Sequence, residues 1–239
     1  LNLSNPENAG IGSVIGGLPG ALIGGSLPSG WQTASQGVSV GVNDGNFEGD
    51  AYEHLRARGG FSGTRNIHRL SELDAATETA LNGYFTNLND TIVGQATSLG
   101  VSGADSILEG FNMATQIFTG GTANEDLQEW LEDSTRQAYA QAFNNMSPEL
   151  AAYMTSAVDI VNDSVEDIAE AFATIAAGFA AVTDATVLLG LNFDSLDPSA
   201  VGASAALVEL MGGLDQFQSA TQSYYNEYYT LEERQKIAL

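Results

Sequence analysis

Residues 147–182 read SPELAAYMTSAVDIVNDSVEDIAEAFATIAAGFAAV. Within them Val158, Val161, Val165, Ile168, Phe172, Ile175, Phe179 and Val182 recur at alternating steps of three and four. That spacing keeps one apolar stripe on one side of an α-helix, turned towards a partner helix. Ser147 can accept a backbone N–H as N-cap, and Pro148 at the first helical position has no N–H to lose. The pattern predicts one long helix with those eight residues as its packing seam. Asp159, Asp163, Glu166, Asp167 and Glu170 have no basic partner on the same helix, so water is expected to solvate its other side. A chain built around such a helix is mainly α.

The flanking segments extend the reading. Leu81, Phe85, Leu88, Ile92 and Leu99 predict a helix over 71–99, with Ser71 and Asp74 resembling a cap and Gly100 suited to its C-terminal cap. Ser106 to Glu109 is expected to form a helical turn. Thr122 and Glu125 make a capping-box pattern that opens a helix to about Asn144, with Leu127, Trp130, Leu131, Ala138 and Ala142 on its inner face. Residues 190–197 read as a break, and Asp197-Pro198 as a restart. From there Leu207, Leu210, Leu214, Phe217, Thr221, Tyr224 and Tyr228 keep the same rhythm across Gly212-Gly213. The cluster Tyr224, Tyr225, Tyr228 and Tyr229 reads as a packing surface. Thr230-Leu231-Glu232-Glu233 is a further capping box. The chain starts at Leu1 and ends as this helix opens, which is what an excerpt of a longer polypeptide would show.

A small β element interrupts the helices. Val38, Val40 and Val42 alternate with small residues, Asn43-Asp44-Gly45 is turn chemistry, and Phe47 and Tyr52 belong on a return strand. A hairpin over 37–53 is therefore predicted. A lone hairpin is marginal in water. The alternation of Phe111, Met113, Thr115 and Ile117 makes 111–118 the strand expected beside it. The expected organisation is a Gly-rich segment or linker at 1–30, a hairpin, helix and strand subdomain at 31–120, and a helical subdomain at 121–239.

Charge is the strongest compositional signal. Seven basic residues stand against thirty acidic ones, for a formal net charge of −23. Such a field repels a phosphate backbone, so sequence-specific nucleic-acid binding is not expected. Four of the seven basic residues (Arg56, Arg58, Arg65 and Arg69) and both histidines (His54 and His68) nevertheless fall within residues 54–69, around a Gly-rich loop at 59–63. These arginines are the candidate partner-docking residues. Pairing with carboxylates of the same assembly is the alternative. The histidines have no carboxylate arranged as a third ligand, so no metal site is expected.

Residues 10–25 form an uncharged, apolar, glycine-rich run, with Gly12, Gly16 and Gly20 at the spacing that lets membrane helices approach closely. Val14, Ile15, Leu18, Leu22 and Ile23 are its candidate membrane contacts. Pro19, the density of Gly and a length short of the roughly 20 apolar residues a span needs favour a close-packing linker instead. No cysteine is present, which removes disulfides and thiolate ligation. There is no Gly-x-Ser-x-Gly elbow, no His-Glu-x-x-His, no Walker lysine and no Gly-x-Gly-x-x-Gly. No pair of carboxylates is singled out by spacing. Neither enzymatic activity nor a cofactor is expected.

Several weak motifs fall in a telling order. Gly30-Trp31-Gln32-Thr33 is followed by the Gly/Val strand, the acidic turn, Tyr52-Glu53 and the Arg/Gly-rich stretch. Then come Ser102-Gly103-Ala104-Asp105, Phe111-Asn112-Met113-Ala114-Thr115-Gln116-Ile117 and Asn124-Glu125-Asp126-Leu127-Gln128-Glu129. Last are Leu207-Val208-Glu209-Leu210-Met211-Gly212-Gly213-Leu214-Asp215 and the run from Tyr224 to Arg234. Over residues 26–234 this order resembles the C-terminal region of tail tape measure proteins of long-tailed (siphovirus-like) bacteriophages. The resemblance implies a virion scaffold in the tail-tube lumen that sets tail length. It implies a tip-proximal part held by tail tip, hub and distal tail proteins, and release on infection to help genome ejection across the host envelope. It carries no catalytic residues. At ~1.5 Å per helical residue the whole chain would reach only about 360 Å, so this stretch fits the anchor and not the ruler. Seams rich in β-branched residues can assemble beyond dimers, so a homotrimer is expected, with host membrane contact after release through the Gly-rich run. The alternative class is a bacterial surface or secreted adhesion module, or a membrane-perturbing one.

Overall fold

The computed structural model describes residues 30–59, 63–191 and 200–237. The Gly-rich run with Val14, Ile15, Leu18, Leu22 and Ile23 lies outside the described residues, as do the restart at Asp197-Pro198 and the side chain of Arg58. The chain is mainly α with one small antiparallel sheet. Four strands, β1 (Trp31–Asn43), β2 (Asn46–Gly59), β3 (Gly63–Glu72) and β4 (Met113–Thr119), lie in the order β3-β2-β1-β4. Seven helices occur among the described residues: α1 (Ala75–Ser98), α2 (Ala123–Asn144), α3 (Pro148–Ala157), α4 (Val165–Leu188), α5 (Val201–Leu210), α6 (Leu214–Tyr228) and α7 (Leu231–Ile237). Among the described residues, one compact unit takes those within 30–90 and 108–138, the other those within 91–107 and 139–237. Helices α1 and α2 each contribute to both units, so the chain does not change unit once near residue 121.

The predicted hairpin is present and longer than its apolar alternation. Asp44 and Gly45 form its two-residue turn with φ of 51° and 77°, and Asn43 pairs with Asn46. Positive φ at both central residues is the twist that matches the flanking strands. The strand expected at 111–118 is β4, antiparallel to β1 with Val38 opposite Phe118 and Ser39 opposite Ile117. Val38, Val40, Val42, Ala51 and Leu55 are buried on one face of the sheet. Phe47, on that same face, stacks on Phe85 of α1 at 5.7 Å, and Phe85 meets Trp130 of α2 edge-on at 5.9 Å. The helices therefore cover the valine face.

Two corrections concern the ends of α1 and the strand before it. Residues 63–72 form β3, and the helix starts only at Ala75. Ser71 is a strand residue opposite Ala51. Asp74 is the cap: its Oδ1 accepts the N–H groups of Ala76 and Thr77, both at 3.1 Å. Gly100 ends the helix as expected, with φ of 70° and the Val101 N–H reaching back to the Ala96 carbonyl at 3.0 Å.

The single helix expected over 147–182 is two helices. Ser147 caps α3 as predicted, accepting the Leu150 N–H, but the helix ends at Ala157. Asp159 is the cause. Its Oδ1 accepts the N–H groups of Val161 and Asn162, its Oδ2 accepts the Asn162 amide, and Asp163 Oδ2 accepts the Asp159 N–H. Short acidic and amide side chains offer the backbone a turn in place of the helical ladder. Ser164 then caps α4, accepting the Asp167 N–H at 3.1 Å and donating its hydroxyl to Asp167 Oδ2 at 2.7 Å. Asp159, Asp163 and Asp167 thus do local structural work and are not merely a solvated face.

The seam divides accordingly. Ile168, Phe172, Phe179 and Val182 are buried, Val165 and Ile175 are half-buried, and Val158 is buried at the end of α3. Val161 is 82% exposed and belongs to no seam. Phe172 meets Tyr139 at 5.9 Å and Phe143 at 5.2 Å, both edge-on. The Gln95 amide donates to the Ala169 carbonyl, and the Asn145 amide to the Ile107 carbonyl. The seam is thus buried by helices of the same chain.

The rhythm expected to run through Gly212-Gly213 also breaks. Both glycines have positive φ, 90° and 105°, and separate α5 from α6. Phe217 packs with Ala181, Val182 and Ala185 of α4, with Val208 and Leu214 beside them. The capping box at the start of α7 forms as predicted: Thr230 N–H donates to Glu233 Oε2, and Glu233 N–H to Thr230 Oγ1. At the start of α2 the expected box does not form in that way: the Thr122 hydroxyl donates to Asp126 Oδ2.

Candidate interaction site

Strand β2 pairs with β3 over ten successive positions without a bulge, from Asp50 opposite Glu72 to Gly59 opposite Gly63. Residues directly opposite share a face, so the register sorts the basic cluster. Arg65 lies opposite Ala57, Ile67 opposite Leu55 and Arg69 opposite Glu53, all on the valine face. Arg56 lies opposite Asn66, His54 opposite His68 and Tyr52 opposite Leu70, on the other face. The described candidate docking arginines therefore divide, Arg65 and Arg69 on one face of the ribbon and Arg56 on the other. Spacing along the chain did not give this split, because it depends on which residues pair.

The histidine rings stack across the two strands, 4.6 Å apart and 14° from parallel. Tyr52 lies against His68 at 5.8 Å, and its hydroxyl is 2.5 Å from His68 Nδ1. His54 Nε2 donates to Asn66 Oδ1 at 3.2 Å. Both imidazoles are therefore engaged in the ribbon's own packing. Among the described residues no group of three or more His, Cys, Asp or Glu is placed to hold a metal.

Glu53 is 4% exposed and accepts the Thr33 hydroxyl at 3.0 Å. Arg56, Arg65 and Arg69 are exposed, and none forms an ion pair with a described residue. No carboxylate occurs anywhere from His54 to Ser71. In a chain of net charge −23, residues 54–71 form a basic stretch at one end of this ribbon, with Glu48, Asp50, Glu53 and Glu72 at its other end, and the described arginines have no ion-pair partner among the described residues.

The sheet's second face carries no described helix-packing aromatic contact. Gly37, Ser39 and Gly41 form its floor on β1, flanked by Ile117, 51% exposed, and by Tyr52 and the 58% exposed Leu70. Gly37 is required there, since a Cβ would run into the Phe118 backbone carbonyl. The tyrosine cluster packs on itself, Tyr229 meeting Tyr224 at 6.3 Å and Tyr225 at 5.3 Å. Tyr229 donates its hydroxyl to the Leu189 carbonyl at 2.6 Å, and the Arg234 guanidinium lies 5.3 Å from the centre of the Tyr225 ring. Tyr224 and Tyr228 stack on each other at 4.7 Å and face solvent. Between α4 and α6 runs an open groove of about 580 Å³, with Phe217 and Leu188 in its lining. Among the described residues Asp184 is its one ionisable lining group, with Gln218, Thr221 and Gln222 as neutral polar neighbours.

Helix α4 is long and apolar enough to cross a membrane by length and composition. Its Ile168, Phe172 and Phe179 are core residues of the helical unit.

Comparison of the chain with protein-family profiles, with curated proteins and with solved structures gives no match.

Proposed function

We propose that this chain is a structural protein of a bacteriophage virion, the tip-proximal part of a tape measure protein. In this reading it anchors in the tail tip against hub and distal tail proteins and takes part in tail assembly and length determination. On infection it leaves the tail-tube lumen and helps genome delivery across the host envelope. The observation that supports an anchoring role is the β2–β3 ribbon: exposed arginines on both faces, without a described internal carboxylate partner, on an otherwise strongly acidic chain. A site of that kind favours docking and steering onto an acidic surface over chemistry. The ordered motifs over residues 26–234 supply the link to tape measure proteins. A homotrimer remains part of the proposal. Its contacts must lie outside the α4 seam, which the chain buries within itself.

A bacterial adhesion or membrane-perturbing module is the second reading. The exposed Ile117 and Leu70 at the two edges of the second sheet face favour its adhesion form.

Electron cryo-microscopy of intact particles, focused on the tail tip, tests the choice. Threefold density inside the hub that fits the four-stranded sheet and the α3–α4 break is the expected result. A hub without this chain, in particles that contain it elsewhere or lack it, overturns the reading.

A further inference from the structure

We propose that the free edge of β3 receives an added strand from a partner protein, and that this strand is acidic with the pattern acid–x–apolar–x–acid. The inference rests on the docking reading above and names its mode and its partner's chemistry.

Among the described residues β3 pairs with β2 alone, so its other edge presents unpaired backbone donors and acceptors. Such an edge is a template for another strand unless it is short, bulged, interrupted by proline or covered. This one is ten residues long, has no proline and no register shift, and is exposed at every position. Main-chain bonding at a free edge gives affinity, and alternate side chains give selectivity.

The side chains of β3 then specify the occupant. Arg65, Ile67 and Arg69 stand on one face at steps of two, spanning roughly 13 Å at about 3.3 Å per residue. An added strand places its own residues i, i+2 and i+4 beside them. Carboxylates at i and i+4 meet the two guanidiniums, and an apolar side chain at i+2 covers Ile67, which is 39% exposed. On the other face the same strand passes Asn66, His68 and Leu70, which accept polar or small apolar neighbours.

Two other occupants fit less well. A second copy of the same edge would bring Arg65 and Arg69 of the two chains within one strand spacing, about 4.8 Å, where like charges oppose pairing. A nucleic acid would meet the arginines, but also the repulsive field of a chain at −23. Edge arginines also serve in many sheets simply to prevent strand pairing. That role predicts that no peptide binds.

The test uses the full 239-residue chain and a synthetic peptide of about ten residues with glutamates two positions either side of a central valine in a threonine background. Fluorescence anisotropy is expected to show binding that weakens about tenfold from low to high salt, as screening requires. Hydrogen exchange is expected to show new protection confined to β3. The Arg65→Glu/Arg69→Glu variant, checked for unchanged circular dichroism, is expected to lose binding and to prefer a peptide with lysines in place of the glutamates. That charge swap separates a specific edge from a general loss of structure. The proposal is overturned by no binding, by binding without β3 protection, by equal competition from duplex DNA, or by self-association that the double variant abolishes without peptide. None of these results bears on whether the chain sits in a tail tip, so the two readings fail separately.

Discussion

Phe172 of α4 meets Phe143 of α2 edge-on, with ring centres 5.2 Å apart and planes at 87°. Tyr139, one turn earlier on α2, meets the same Phe172 ring at 5.9 Å. This trio is the aromatic centre of the helical unit, and Phe172 is fully buried within it. Phe172→Ala is expected to cost about 3–5 kcal/mol through lost transfer energy and the cavity left behind. Phe172→Asp is expected to cost more, because it buries an unpaired charge. Urea denaturation followed by far-ultraviolet circular dichroism reads both, and an unchanged midpoint would remove Phe172 from the core.

Val161 supplies the matching contrast. It has the right spacing for the same seam, yet it sits in the turn between α3 and α4 and is 82% exposed. Val161→Asp is therefore expected to change stability by no more than about 0.5 kcal/mol, the usual range for surface positions. A loss comparable to that of Phe172→Asp would restore the continuous helix and refute the break.

The difference between Phe172 and Val161, two positions of one apolar stripe, shows what could be read from residues alone. The period of the stripe identified Ile168, Phe172, Phe179 and Val182 correctly as buried, because burial of a helix face needs only spacing. The break depends on side chains competing for backbone N–H groups, and its signal was present: Ser164-Val165-Glu166-Asp167 is an N-terminal capping pattern in the middle of the stripe. The pair Gly212-Gly213 was a comparable signal of interruption.

Strand β3 was harder to read. It is exposed at every position, so no apolar alternation had to be written into it. Its hint was two arms of matching length around a Gly-rich loop. The basic residues of the candidate site were plain from composition. Their division between two faces followed only from the pairing of His54 with His68.

Gly37 tests how β4 is held. Its backbone lies so close to Phe118 that any Cβ would collide with the Phe118 carbonyl, and Thr119 Cγ2 would also be within 2.9 Å. The two nearest obstructing atoms are backbone, so the strands must separate, and turning the Thr119 side chain away does not relieve the clash. Gly37→Val is expected to release β4 from the sheet. Hydrogen exchange should then accelerate at Met113–Thr119 while the β2–β3 pairing keeps its protection. Uniform protection of β4 in the variant would disprove the close approach.

Acid should loosen two local structures through Asp74 and Asp159. The Thr77 hydroxyl beside Asp74, with the N–H groups of Thr77 and Ala76, holds its pKa below 3.8. The Asn162 side chain, with the N–H groups of Asn162 and Val161, does the same for Asp159. Each folded-state pKa is thus depressed relative to the unfolded chain. The unfolded state then binds more protons, and stability rises with pH. This contribution is fully present above the unfolded value near 3.8 and disappears as pH falls through the lower folded value. Asp74→Asn keeps a capping oxygen that does not titrate, and Asp159→Asn likewise keeps its acceptor in the turn. The double variant is expected to have a shallower loss of stability below pH 4 than the parent, read as the slope of urea midpoint against pH. Equal slopes would show that neither carboxylate favours the folded state through its charge, and would leave the α3–α4 turn and the α1 cap to neutral hydrogen bonding alone.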